Sequence, residues 1–168
     1  MTIAKGLSSG YIPIGASVVS DEVAAVIGTT EFNHGYTYSG HPVGAAAALA
    51  CLAETKRLNV IDNAAARGTQ LFDGCKALMA KYDIIGDVRG GHGLMTAIEM
   101  VSDRATKAPT DAGTAALVQE TAYQAGAMVR VSGPNLILSP ALVLSASDAT
   151  AILDALDAGF AAASQARR

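Results

Sequence analysis

Thr2-Ile3-Ala4-Lys5-Gly6-Leu7-Ser8-Ser9-Gly10-Tyr11-Ile12-Pro13-Ile14-Gly15-Ala16 is the stretch around which the chain is organised. Thr2-Ile3-Ala4 can end a buried strand. Gly6, Ser8, Ser9 and Gly10 then give a loop whose backbone can approach a ligand closely. A lysine at such a strand-to-loop edge is expected to be partly desolvated, and desolvation yields a neutral amine able to attack a carbonyl. The same residue types also describe a surface lysine in a glycine-rich turn.

Downstream, 14–19 is small, β-branched and apolar, which predicts a short buried strand. Ser20 is the expected cap of a helix that opens on Asp21-Glu22 and carries Val23, Ala24, Val26 and Ile27 on its apolar face, with Gly28 at its end. Residues 29–40 read as a loop. Pro42 suits the first position of a helix, because its missing N–H would have no partner there. From Val43 to about Leu58 the pattern is almost continuously small and apolar, which predicts the longest helix of the chain and a buried one. A break is expected at 59–62, with Asp62 recapping an amphipathic continuation through Leu71 and Leu78.

Beyond it, 84–88 and 93–100 read as strands around a glycine loop. The polar stretch 102–111, with Pro109, reads as a loop. Thr110 or Asp111 is the expected cap of a helix to about residue 125. Residues 127–131 and 136–139 form a predicted hairpin about Ser132-Gly133-Pro134-Asn135. Ser147-Asp148 is the expected cap of a last helix with Ile152, Leu153, Leu156 and Phe160 inward and Arg167 and Arg168 at its C-terminal end. From about residue 57 onward this is an α+β unit. Residues 1–56 supply elements without a sheet to lie on.

The chain has 168 residues, just over half of them apolar, and a net charge of −3. That balance, with no basic cluster interleaved with aromatics, excludes a nucleic-acid surface. Cys51 and Cys75 stand apart without framework spacing, so reduced thiols in a cytoplasmic protein are expected. The run 43–53 is too short to span a bilayer. His34, His41 and His92 fit no zinc spacing, so no metal is expected and His41 is assigned a structural place at a helix start.

Four segments, in this order, resemble class III pyridoxal-phosphate-dependent aminotransferases of the ω-transaminase kind. They are Ala4-Lys5-Gly6-Leu7-Ser8-Ser9-Gly10-Tyr11 with Pro13 and Gly15-Ala16; Phe32 to Pro42 with the alanines 45–48; Arg89-Gly90-Gly91-His92-Gly93-Leu94-Met95; and Met128-Val129-Arg130 with Leu136 to Pro140. The resemblance implies the α/β architecture of fold type I transferases, here the end of the large domain (1–56) plus the small C-terminal α+β domain (57–168). It implies pyridoxal 5'-phosphate as cofactor and Lys5 as the catalytic Schiff-base residue. Thr37, with Tyr36 and Tyr38 beside it, is implied to contact the cofactor phosphate of a neighbouring subunit in a homodimer with a shared site. Arg130 is implied to hold the carboxylate of an amino or keto acid, a task its two parallel N–H groups suit better than lysine.

The implied reaction moves an amino group from an amine or ω-amino acid to a keto acid such as pyruvate. An aminomutase or decarboxylase would use the same lysine, and a non-catalytic interaction or decoy subunit is the alternative of a different class. The family's first half is not matched, so Met1 reads as an internal methionine, and these residues alone are expected to be nearly inactive.

Overall fold

The computed structural model describes residues 1–167. It divides into two compact units, Met1–Asn59 and Val60 onward.

In the first unit, β1 (Thr2–Ile3) pairs antiparallel with β2 (Ala16–Ser17), Thr2 opposite Ser17 and Ile3 opposite Ala16. The loop between them opens with a 3-10 turn at Lys5–Leu7. The strand expected over 14–19 is thus only two residues long, and both are exposed rather than buried. Helix α1 (Asp21–Thr29) starts as expected, with Val23 N–H donating to Ser20 Oγ at 3.4 Å and Asp21 and Glu22 in the first turn. It runs past Gly28 and buries none of its residues.

Helix α2 (Pro42–Arg57) has its proline at the predicted first position. Only Gly44 and Ala48 are buried, while Val43, Leu49 and Leu52 are more than half exposed. The expectation of a helix buried on all sides is therefore not met. Small apolar residues report an apolar surface, and nothing within Met1–Asn59 covers it. Nor is α2 the longest helix: α3 (Val60–Lys81) has 22 residues against its 16. The expected break falls at Leu58–Asn59, where Asn59 has φ +47, so Asp62 lies in the first turn of α3.

The second unit is the expected α+β arrangement. Strands β3 (Ile85–Arg89), β4 (Thr96–Asp103), β6 (Arg130–Ser132) and β7 (Asn135–Leu138) form an antiparallel sheet in the order β3-β4-β7-β6. A fifth strand, β5 (Ala108–Pro109), pairs with the end of β4. That pairing corrects the loop expected over 102–111. Proline is tolerated there because an edge strand has positions whose N–H would face solvent.

Ile98, Met100, Leu136 and Leu138 alternate along β4 and β7 and point into one core. There they meet Cys75 and Leu78 of α3, Val118 and Ala122 of α4 (Ala112–Gln124), and Leu156 and Phe160 of α5 (Ala146–Ala166). A fully buried Val, Leu, Ile, Phe or Met side chain among these stabilises the unit by about 1.5–3 kcal/mol. Gly159 lets α5 lie against α4, since a Cβ there would stand 2.7 Å from Val118 O.

Asp111 is the cap of α4, its carboxylate accepting from Thr114 N–H at 2.8 Å. The cap of α5 is Ser145 rather than Ser147. Ser145 Oγ accepts from Asp148 N–H at 3.1 Å, and the Asp148 carboxylate accepts from Ser145 N–H at 3.1 Å, a reciprocal capping box. The turn of the hairpin is as expected, but its first strand begins at Arg130 rather than residue 127. Arg167 ends α5, and its guanidinium donates to the carbonyls of Val101 and Ser102. Arg168 lies outside the described residues.

Candidate active site

Three of the sequence-predicted site residues lie in the first unit. Lys5 opens the loop between β1 and β2 with φ +51. A residue with a Cβ reaches this left-handed region at a cost of about 1–2 kcal/mol. Leu7 N–H donates to Ala4 O at 3.1 Å and Ser8 N–H to Lys5 O at 3.2 Å, which fixes the turn around the lysine. The lysine is exposed, so the desolvated environment expected from its neighbours is not formed by these residues. Its amine has no ion pair among the described residues.

Thr37 stands in a turn just before α2. Ser39 N–H donates to Tyr36 O at 2.9 Å, Tyr36 N–H to Ser39 Oγ at 3.1 Å, and His41 N–H to Tyr38 O at 3.2 Å. His41 is the N-cap position of α2, as assigned from sequence, and its side chain makes no capping bond. Val43 and Gly44, in the first turn after Pro42, therefore present N–H groups and the positive end of a helix dipole without a side-chain cap. That is the local chemistry of an anion site.

A cavity of about 700 Å³ opens beside this turn, walled by Ile12, Ile14, Tyr36, Tyr38 and His41 among others. Tyr36 is on that wall. Lys5 and Thr37 are not among the residues that wall it. In kind, the groups fit pyridoxal phosphate: a primary amine for an aldehyde, and a hydroxyl near unpaired amides for a phosphate.

Arg130 lies in the second unit, at the start of β6. The register sets it opposite Ile137, Ile137 opposite Ala97, and Ala97 opposite Arg89, in one row across four strands. The two arginines of this row differ. Arg89 bonds Glu99 closely, reaches Asp87 at 3.2 Å and donates to Asn135 Oδ1 at 2.7 Å. Arg130 is exposed and has no ion pair among the described residues. It lines a cavity of about 510 Å³ with Gln119, Met128, Ile137 and Ile152. A guanidinium without a protein carboxylate, beside apolar side chains, can take a carboxylate from a small molecule.

Other candidates fall away. Among the described residues no cluster of His, Cys, Asp and Glu could hold a metal ion. Burial pushes the Cys75 thiol up to about 12, which removes it as a nucleophile. No helix among the described residues is long and apolar enough to cross a membrane. Two features escaped the sequence reading. One is Ser8, almost wholly buried inside the lysine loop; a serine between glycines gives no sign of burial. The other is the Arg89–Glu99–Asn135 network, which the alternation of β4 and β7 could have suggested.

The chain is similar to known proteins over nearly its whole length. The family described as Aminotransferase class-III matches residues 1–160. A putrescine–pyruvate aminotransferase of Pseudomonas aeruginosa is 38% identical over 149 residues, covering 88% of this chain and 32% of that protein. A taurine–pyruvate aminotransferase of Bilophila wadsworthia is 36% identical over 178 residues, covering 98% and 39%. The crystal structure of an amine transaminase from an uncultivated Pseudomonas species, in a PLP-bound form, superposes with a TM-score of 0.89 at 41% identity, over 95% of this chain and 37% of that one. The chain thus spans 32–39% of the length of these relatives.

Proposed function

Since the chain belongs to the class III aminotransferases and has the fold of part of a fold type I transferase, we propose that it carries the lysine-bearing end of an aminotransferase site. In this reading 1–56 is the C-terminal part of the large cofactor-binding domain and 57–168 the small domain. The reaction moves an amino group from an amine or ω-amino acid to a keto acid such as pyruvate, in the cytoplasm. The observation that supports it most is the exposed Lys5 amine on a turn held at positive φ, within the stretch that matches the family.

Lys5 Nζ is the group that bonds the aldehyde of pyridoxal phosphate. When bound, the cofactor supplies an electron sink for negative charge at the substrate carbon. The Lys5 amine, placed beside the substrate, would take a proton from one carbon and return it to another, as a positioned general base and acid. Thr37 Oγ1 and the N–H groups at the start of α2 hold the phosphate. Arg130 holds the carboxylate of the keto acid through two N–H groups, with Met128 and Ile137 beside it for apolar parts of a substrate.

In this reading the enzyme is a homodimer whose sites take Thr37 from the neighbouring subunit. In the native polypeptide that carries these residues, Thr37→Ala should weaken phosphate binding by the worth of a hydrogen bond to a charged group, on the order of tenfold to a hundredfold. Mixing inactive Lys5→Ala protomers with Thr37→Ala protomers should then restore turnover, because mixed dimers contain one site with both residues intact. Turnover no higher than in either parent would remove the shared site. These 168 residues alone are proposed to bind the cofactor poorly, because few side chains of Met1–Asn59 are buried.

A further inference from the structure

We propose that Ser8 is a positioning residue that sets the backbone of Lys5; the proposal rests on the assignment of Lys5 as the cofactor lysine. Most of Met1–Asn59 is exposed, yet Ser8 is only 2% exposed. Its hydroxyl donates to Ile12 O at 2.6 Å. Its N–H donates to Lys5 O at 3.2 Å, and its carbonyl accepts from Tyr11 N–H at 3.0 Å. One residue therefore ties the lysine's own peptide to the exit of the loop.

The loop needs such a tie. Lys5 at φ +51 and Ser9 at φ +49 are two residues with side chains in the left-handed region, within five positions. Such conformations persist only where the surroundings over-determine them. Around Lys5 those surroundings include the Ala4–Leu7 turn bond, the bond from Ser9 N–H to Gly6 O at 3.3 Å and the three bonds of Ser8. Of these, the Ser8 hydroxyl bond is the only one made by a side chain, so it is the one a substitution can delete. Without it Ile12 O loses this donor, and the chain between Lys5 and Ile12 is free to relax. A displacement of about 1 Å at a reacting group costs on the order of a hundredfold in rate.

Threonine and valine have the same shape and differ in the hydroxyl, so Ser8→Thr and Ser8→Val separate the hydrogen bond from packing. Both are made in the native polypeptide, and three quantities are read: pyridoxal phosphate trapped on Lys5 by borohydride, melting temperature, and the single-turnover rate with saturating amine. The expected result is equal trapping and equal melting for the two variants. Ser8→Thr should react near the wild-type rate, and Ser8→Val on the order of tenfold to a hundredfold more slowly.

Equal rates for the two variants, fast or slow, would overturn the proposal. So would a Ser8→Val protein that fails to fold, or one slowed only in proportion to lost trapping, since the hydroxyl would then serve folding alone. Absence of label on Lys5 in the wild type would instead overturn the assignment of the lysine, and the role of Ser8 with it.

Discussion

Lys5→Ala in the native polypeptide is expected to abolish both the visible absorbance of lysine-bound pyridoxal phosphate and aminotransfer to pyruvate. Two losses combine. The substitution removes the amine that anchors the aldehyde, and no other lysine shares its loop. It also removes the proton carrier, and a positioned general acid–base is worth on the order of 10²–10⁴-fold in rate. Lys5→Arg should fare no better, because a guanidinium stays charged and is not a nucleophile at neutral pH. Spectra of purified protein with added cofactor, and turnover of an amine with pyruvate, check both. Wild-type absorbance in Lys5→Ala would show that another residue bonds the cofactor.

Arg130→Ala is expected to separate two kinds of substrate. The arginine is exposed at the start of β6 and unpaired among the described residues, so its removal leaves no buried carboxylate without a partner and the fold should survive. A keto or amino acid loses a charge-assisted pair of hydrogen bonds. At about 1.5–3 kcal/mol for a bond to a charged group, that is a loss on the order of ten- to a hundredfold in kcat/KM. A plain amine without a carboxylate loses nothing comparable. Half-reactions measured separately with an amine and with pyruvate give the two figures. Equal losses would remove the carboxylate role. Arg89→Ala is a poor substitute for this experiment, because it strands Asp87 and Glu99 and tests the sheet instead.

The second unit was legible because its signals are local. Alternating Ile98 and Met100, and Leu136 and Leu138, mark one buried face of a sheet, and Asp111 marks a helix start. The cap of α5 was misplaced by two residues even though Ser145 and Asp148 have the spacing of a capping box. The strand at Ala108–Pro109 was hidden by its proline, which breaks a central strand but not an edge.

The first unit was legible in its elements and not in its burial. An all-round apolar helix such as α2 signals that something covers it, and the sequence cannot say whether that cover lies within the same residues. The same limit applies to the site. Lys5, Thr37 and Arg130 stand out by residue type and motif, and each lies where its chemistry is accessible. The proposed site needs the three together, and spacing along a chain does not encode such a meeting. Ser8 shows the converse: its hydroxyl reaches only Ile12, four residues away, yet its burial was unreadable among glycines.

The central claim is that Lys5 bonds the cofactor, and the most direct measurement locates that bond. The native polypeptide is incubated with pyridoxal phosphate, reduced with borohydride, digested, and sequenced by mass spectrometry. The account predicts the phosphopyridoxyl group on Lys5, in the peptide containing Ala4-Lys5-Gly6-Leu7, and its loss when an amine substrate is added before reduction. A label on Lys56, Lys76, Lys81 or Lys107 with Lys5 unmodified, or a Lys5 label that the amine does not displace, would contradict it.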